Sequence, residues 1–334
     1  MKMSSFEQTQ WQILRLLREN PGKFHSGTAL ASRLRITRTG IWKHVKALRA
    51  LGYEIESHCK EGYRLTVLPD ILVPEEVRHG LDTAWLGREY HFLPQVGSTN
   101  DYALDLARRK AAHGCVVVAE EQTSGRGRLR RPWVSPPGCG LYLSILLRSA
   151  IPVREASQTN LVAALAMTAL LRDRYALPAT IKWPNDLLIG GKKIVGILTE
   201  MQSDQDFTSF LVLGMGVNVN HGTEDLPGPF RYPVTSLALE LNGRVRRLDL
   251  LLEFLNRFEA IYDRFLAEGF GSLAPQVEAC SGILGREVLI QTGKGEVAGK
   301  AVGLTPEGAL RLLTREGREE TIWVGDVTRV EGLA

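Results

Sequence analysis

The chain has 334 residues, with 41 Lys+Arg against 37 Asp+Glu and a formal net charge of +4. Hydrophobic residues at 44% and charged residues at 23% exclude a disordered chain, and at roughly 100–200 residues per domain the length suggests two or three domains. No apolar run approaches the roughly 20 residues of a membrane span, and the opening MKMSSFEQTQWQ has no apolar core or small-residue cleavage site, so a cytoplasmic protein without a membrane partner is expected.

The charge is uneven along the chain. Residues 1–68 hold 12 Lys+Arg and 5 Asp+Glu, net +7, which leaves 29 and 32, net −3, for residues 69–334. A basic head on a near-neutral body points to a nucleic-acid-binding module joined to something else. In the head, QWQILRLLREN sets Trp11, Leu14 and Leu17 on one helical face with Ile13 beside them, and Asn20-Pro21-Gly22 stops the helix. A second helix starts near Ser26, a suitable N-cap, and turns Leu30 and Leu34 inward. Thr37 can cap a third, whose Ile41, Val45 and Leu48 fall at i, i+4 and i+7, and Gly52 suits its C′ position. The opposite face carries Arg38, Thr39, Trp42, Lys43, Lys46 and Arg49. Two β-like runs, YEIES and GYRLT, flank HCKEG as a hairpin. The order predicts a winged helix-turn-helix, its third helix entering the major groove, with a solvated basic helix in a dimerisation module as the alternative. Val67-Leu68-Pro69-Asp70 reads as the linker.

In the body, GSTNDYALDLARRK predicts a helix capped at Ser98 or Thr99 that carries Tyr102, Leu104 and Leu106. CVVVAE and GLYLSILLR are buried strands, and 155–176 is a long apolar helix. Strands follow around IKW, KIVGILTEM and FLVLGMGVNVN, then a helix near 249–267. Strands and helices interleave without a regular βαβ period, which predicts α+β around a mixed sheet. The tail, with VLIQT, VAGKAVGL, ALRLLT and TIWVG between glycines, reads as a small β-barrel. The four cysteines, Cys59, Cys115, Cys139 and Cys280, include no CxxC, and the seven histidines no HxxxH, which argues against a disulfide framework or structural zinc. Cys115 and Cys139, in apolar runs, read as small buried hydrophobes.

Three segments carry chemistry. In TSGRGRLRRPW, four arginines (126, 128, 130 and 131) fall within six positions, broken by glycines, after a strand. Such a loop can fold over a polyanion such as a nucleotide, its guanidiniums matching carboxylate or phosphate in two-point contacts. It can equally be a solvated loop or a second nucleic-acid patch. In IKWPNDLLIGGKKIVGIL, Lys182 ends a strand, Pro184 turns the chain, and Asn185 and Asp186 offer oxygen ligands to a divalent cation. Gly190-Gly191 makes a hairpin before Lys192 and Lys193. That suits a site where a metal-nucleotide meets an anionic substrate, or simply a surface hairpin. GMGVNVN sets glycines at a strand end, a weak sign of ligand contact.

Taken in order, GSTN at 97–100, AEEQTSGRGR at 119–128, Trp133, GLYLS at 140–144, KWPND at 182–186, GKKIVGIL at 191–198 and GMGVNVN at 214–220, behind a winged-helix head, resemble the bifunctional biotin protein ligase and biotin operon repressor family over essentially the whole chain. One departure stands in the arginine loop. The family's GRGRxGR is GRGRLRR here, with Arg130 where a glycine usually lies, which puts the local backbone in question if it needs φ > 0.

The resemblance implies a winged helix-turn-helix head at 1–68, a central α/β ligase domain with a mixed sheet at 69–278 and an SH3-like β-barrel at 279–334. It implies a ligase that joins biotin to ATP as biotinyl-5′-adenylate, with Mg²⁺ accompanying the ATP, and then transfers biotin to a lysine of the biotin carboxyl carrier protein of acetyl-CoA carboxylase. The adenylate would also favour a homodimer that represses by binding operator DNA of biotin biosynthesis genes. By the same resemblance, Ser98, Thr99, Asn100, Gln122, Arg126, Gly127, Arg128 and Lys193 bind biotin. Arg128, Arg130, Arg131, Trp133, Lys182, Asn185 and Asn218 bind the nucleotide, and Asn185 and Asp186 the metal. Arg126, Arg128, Lys182 and Lys193 are the catalytic cations, offsetting repulsion between carboxylate and phosphate. Thr37, Arg38, Thr39, Trp42, Lys43, Lys46 and Arg49 contact DNA. Two rivals are a lipoate or octanoate ligase, and a biotin sensor without ligase activity. The intact GRGR and KWPND pair, with its four cations, argues against both.

Overall fold

The computed structural model describes residues 5–332 apart from 21, 150, 205, 227 and 229–231. The chain divides into two compact units, Met1–Ile71 and Leu72–Ala334. In the first, three helices, α1 (Ser5–Glu19), α2 (Gly27–Leu34) and α3 (Arg38–Ala50), precede a hairpin of β1 (Glu54–His58) and β2 (Gly62–Val67). Ile13, Leu14, Leu17, Leu30, Ile41, Val45 and Leu48 bury together as its core, each worth roughly 1.5–3 kcal/mol relative to exposure. Thr37 caps α3 as expected, its hydroxyl accepting from the Gly40 N–H at 3.0 Å. Ser26 stands at the N-cap of α2 but makes no side-chain capping bond. Pro21, expected to help stop α1, lies outside the described residues. The hairpin is fastened by a reciprocal backbone pair between His25 and Tyr63. Gly62, at φ +104, lies so close that a β-carbon there would meet the His25 carbonyl, so only glycine fits.

The second unit opens with α4 (Pro74–Gly80), β3 (Tyr90–Leu93), α5 (Thr99–Arg108), β4 (Val116–Ala119), β5 (Gly140–Leu147) and α6 (Gln158–Tyr175). It continues through β6 (Ala179–Lys182), β7 (Asp186–Ile189), β8 (Lys192–Asp204), β9 (Phe207–Asn218), α7 (Leu237–Leu241), α8 (Arg247–Glu268) and α9 (Ala274–Ala279). Seven strands form one mixed sheet in the order β3-β4-β5-β9-β8-β7-β6, in which only the β3–β4 pair is parallel.

Alternation along the strands decides what each face does. Val116 and Val118 of β4, Leu141, Leu143, Ile145 and Leu147 of β5, and Leu211, Leu213, Met215 and Val217 of β9 enter the main core with α6 and α8. The intervening Val117, Leu146 and Val212 form a smaller cluster with Ala103 and Ala107 of α5. Because α5 is short, part of that second face stays uncovered by helix, and the site is built there. α6 is buried nearly all round, so its sequence carries no amphipathic stripe.

The tail forms a five-stranded antiparallel sheet from β10 (Glu287–Thr292), β11 (Gly295–Leu304), β12 (Leu310–Thr314), β13 (Glu319–Ile322) and β14 (Asp326–Val330), ordered β13-β12-β11-β10-β14. Among the described residues no ladder joins β13 to β14, so the strand pairs describe a five-stranded antiparallel sheet and do not by themselves close it into the expected small barrel. Val288, Ile290, Leu310, Leu312 and Val327 join the same core as the central sheet. No described helix is long and apolar enough to cross a membrane.

Candidate active site

On the uncovered face the small residues leave room. Gly214 and Gly216 of β9 and Gly196 of β8 alternate with core residues and floor a cavity of about 430 Å³. A β-carbon at Gly214 would lie 2.2 Å from Asn100 Oδ1, and one at Gly216 would lie 2.5 Å from the Trp133 indole. The weak GxG signal thus marks two places where side chains pack directly onto backbone.

One end of the cavity is a buried network at the start of α5. Thr99 donates through its N–H (2.9 Å) and hydroxyl (3.1 Å) to Gln122 Oε1, and Gln122 Nε2 donates to Ser135 Oγ at 3.1 Å. Ser144 Oγ lies 2.6 Å from Asn100 Oδ1 and 2.8 Å from Thr99 Oγ1. Asn100 Nδ2 donates to Glu200 Oε2 at 2.7 Å. Ser98, Thr99 and Asn100 are buried, with Ser98 at the N-cap of α5. Buried polar groups held by one another keep fixed orientations.

The arginine loop closes on itself. Trp133 N–H donates to Gly125 O at 2.9 Å and Gly127 N–H to Arg131 O at 2.8 Å. Leu129 and Arg130 at its tip both hold positive φ, 55° and 56°. The left-handed backbone that the family's glycine suits is therefore kept, at a cost of roughly 1–2 kcal/mol for a residue with a side chain. Arg126 forks onto Asp101 (2.6 and 2.6 Å) and reaches both oxygens of Glu200 at 3.1 Å. That hydrogen bonding holds the Asp101 carboxyl below the usual carboxylate range. Arg128 is more deeply placed, and burial lowers its pKa; its Nη1 donates to the neutral Asn185 Oδ1 at 3.2 Å. Arg131 pairs with Asp326 of β14 at 2.7 Å.

The other end is the β6–β7–β8 hairpin region. Lys193 Nζ lies 2.6 Å from Asp186 Oδ1 and 5.3 Å from the centre of the Trp133 ring. Asn185 Nδ2 donates to Ile197 O and Asn218 Nδ2 to Thr235 O, which fixes both amides at the wall. Lys182 is buried, its Nζ 3.6 Å from the centre of the Tyr232 ring, whose hydroxyl donates to Val327 O at 2.7 Å. Trp133 Nε1 is buried without a hydrogen-bond partner among the described residues, a donor left over for a ligand.

The fold therefore brings Ser98, Thr99, Asn100, Gln122, Arg126, Gly127, Arg128, Arg131, Trp133, Asn185, Asp186, Lys193 and Asn218 to one cavity. Lys182 lies behind Tyr232, and Arg130 is exposed at the loop tip, outside the lining. Sequence reading missed Asp101, Ser135, Ser144, Glu200, Tyr232 and Asp326. Asp101 adjoins GSTN and Glu200 follows GKKIVGIL by two residues, so strand alternation along β8 could have found Glu200. Nothing local marks the others.

In the first unit, Arg38, Thr39, Trp42, Lys43, Lys46 and Arg49 are all exposed on α3, and Lys46 Nζ sits 5.5 Å over the Trp42 ring. Arg49 differs from the rest. Its guanidinium bonds Ile55 O and, at 2.6 Å, Ser57 Oγ, so it ties α3 to β1.

Three family models match the chain: an HTH domain at 9–64, the biotin/lipoate A/B protein ligase family at 92–218 and the biotin protein ligase C-terminal domain at 283–329. The bifunctional ligase/repressor BirA of Bacillus subtilis is 36% identical over 305 residues, 91% of this chain and 94% of that protein. The Escherichia coli BirA is 30% identical over 89% of this chain and 90% of its own. Among solved structures, a biotin protein ligase from Aquifex aeolicus in complex with biotin and ATP aligns with TM-score 0.62 at 32% identity, covering 71% of this chain and 97% of that one.

Proposed function

The chain belongs to the biotin protein ligase family, in the form that carries a DNA-binding head, and from that premise we propose how its residues divide the work of a biotin ligase and biotin-responsive repressor. Biotin's carboxylate oxygen attacks the α-phosphorus of ATP, the bond to pyrophosphate breaks, and biotinyl-5′-adenylate forms. An acceptor lysine amine then attacks the anhydride carbonyl, forming an amide as AMP departs and the amine proton goes to solvent. Neither step needs an enzyme nucleophile.

The observation that carries this reading is that one cavity joins an uncharged hydrogen-bonding end to a cationic end. The uncharged end, with Thr99, Asn100, Gln122 and Ser144, suits biotin's ureido head group, which is polar but neutral. Arg128 and Lys193 stand where carboxylate and phosphate would meet, and fixed cations there oppose their repulsion and the charge that builds in the transition state. Lys182, positioned by the Tyr232 ring, adds a third charge. Arg126, committed to Asp101 and Glu200, orders the loop that covers the anhydride and keeps water from it. Trp133, with its spare N–H, forms the wall between the two ends.

Asn185 and Asp186 set two hard oxygens side by side at the cationic end, a donor set that fits Mg²⁺ arriving on a nucleotide's phosphates. The ion would lower the charge on those phosphates. With Asp186 turned to such an ion, Lys193 would be left to face substrate.

For regulation, the exposed basic face of α3 is the DNA-contacting surface, and the adenylate acts as corepressor by favouring a homodimer that spans two half-sites. The acceptor is a lysine of a biotin carboxyl carrier protein, and the protein works in the cytoplasm. The proposed division is a DNA-binding domain at 1–68, a catalytic domain at 69–278 and a C-terminal domain at 279–334.

Biotin-dependent exchange of labelled pyrophosphate into ATP tests the first step. Label should enter ATP only when biotin is present. A folded protein without exchange would leave a sensor in place of a ligase.

A further inference from the structure

We propose that Glu89, His91 and Cys115 form a zinc-binding site at the outer edge of the central sheet, apart from the ligase cavity. The parallel register of β3 and β4 creates it. Tyr90 pairs with Val116 and His91 with Val117, and Val116 N–H donates to Glu89 O at 2.9 Å. Glu89 and Cys115 are therefore neighbours one step before the ladder. Side chains two apart on a strand share a face, which places His91 beside Glu89. Cys115 and Val117 lie together in the small cluster beneath α5.

The carboxylate oxygen, imidazole nitrogen and thiol sulfur all lie within 4.8 Å of one another. His91 Nε2 and Glu89 Oε1 are 3.2 Å apart. In a tetrahedral zinc site with bonds of about 2.0–2.1 Å, the edge between two such ligands is about 3.3 Å, so this pair already has the required spacing. A thiolate at about 2.3 Å from the ion needs edges near 3.5 Å, a closure on the order of 1 Å. Glu89 also has its orientation supplied. Its Oε2 accepts from the Ala112 N–H at 2.9 Å, which leaves Oε1 turned to His91, the arrangement by which an outer partner aims a metal ligand.

The donor set selects the ion. One thiolate, one imidazole and one carboxylate suit zinc, whereas magnesium and calcium take oxygen ligands. The Glu89 and His91 side chains are 37% and 31% exposed, so solvent can reach the ion and fill a fourth position. An ion here would fasten the edge strand β3 to β4, and through Ala112 to the loop before β4.

The test uses the full chain, stripped with a chelator and titrated with Co²⁺ as a coloured stand-in for zinc. One equivalent should raise a thiolate-to-cobalt band in the near ultraviolet with the visible bands of four-coordination, and zinc should abolish both. Cys115→Ala and His91→Ala should each remove the signal, while Cys59→Ala and Cys280→Ala keep it. Zinc should also raise the melting temperature of the wild type but not of His91→Ala. Absence of the band in the wild type, or its survival in His91→Ala, overturns the site. His91 is partly exposed, so that variant decides the matter even where Cys115→Ala fails to fold.

Discussion

Thr99, Asn100, Gln122 and Ser144, at the α5 end of the cavity, are locked to one another. Lys193, Lys182 and Arg128, at the hairpin end, are held by one carboxylate, one aromatic ring and one amide. The first end is built to recognise, since fixed dipoles lose little entropy on binding. The second is built to exchange partners, since the contacts of Lys193 with Asp186 and of Arg128 with Asn185 are ones that an incoming phosphate can replace. The charged residues of this cavity are therefore not equivalent. Arg126, doubly paired, belongs with the fixed end despite its charge.

The largest expected effect is the loss of stability in acid. The strand that carries Ser144 also carries Tyr142, whose hydroxyl lies 3.1 Å from His221 Nε2. His221 is fully buried, and burial pushes its pKa down from 6.5 to about 4. Unfolded, the ring takes a proton near pH 6.5; folded, it resists until about pH 4. Stability from this site is therefore complete above pH 6.5 and is lost as pH falls to 4, by about 3 kcal/mol in all. Urea unfolding at pH 7, 5.5 and 4.5 should follow this slope in the wild type and a shallower one in His221→Gln. Parallel slopes would exclude His221 as the source.

Next in size is Lys193→Ala. Removing a charged hydrogen-bond donor typically costs about 1.5–3 kcal/mol, so affinity for biotin or its adenylate should fall roughly 10- to 150-fold. Circular dichroism should remain unchanged, because Lys193 is only half-buried. Wild-type affinity by calorimetry in a folded variant would remove Lys193 from the exchangeable end.

A smaller effect is expected at Tyr232, which sequence reading did not mark. Tyr232→Ala strips the ring from Lys182, an interaction worth about 0.5–2 kcal/mol, and should raise KM for ATP several-fold with little change in kcat. Tyr232→Phe keeps the ring and loses the bond to Val327 O, so it should stay near wild type. Equal losses in both variants would mean that the hydroxyl, rather than the ring, positions Lys182.

What could be read in advance divides along the same lines. Ile41, Val45 and Leu48 and the Thr37 cap are local patterns, and the structure has them as expected. Lys193, Asn185 and Asp186 were legible because charge and turn residues cluster within one hairpin. Ser144 and Asp326 were hidden because strand pairing, and not spacing in the chain, brings Ser144 against Thr99 and Asn100 and Asp326 to the cavity. The same holds for Glu89 and His91 with Cys115, more than twenty residues apart in sequence and adjacent only through the β3–β4 ladder. A search for CxxC or HxxxH passes over such a group. α6 hid its role differently, since a helix buried on nearly every side shows no stripe to read.

The smallest expected effect concerns the loop tip, where Arg130 keeps φ +56 in place of the family's glycine. Two explanations compete: either the guanidinium compensates for the strain, or the loop simply carries it. Arg130 is exposed and is not part of the cavity lining, which favours the second. Arg130→Gly removes a left-handed cost of roughly 1–2 kcal/mol and adds about 0.5–1 kcal/mol of chain entropy. The closed loop should gain about 0.5–1 kcal/mol, a two- to five-fold slowing of amide exchange at Gly127 and Trp133, whose N–H groups close it. Arg130→Ala removes the guanidinium and keeps the strain, so its exchange should match the wild type. Faster exchange in both variants would mean that Arg130 holds the loop through its charge, and would move it to the paired, fixed end beside Arg126.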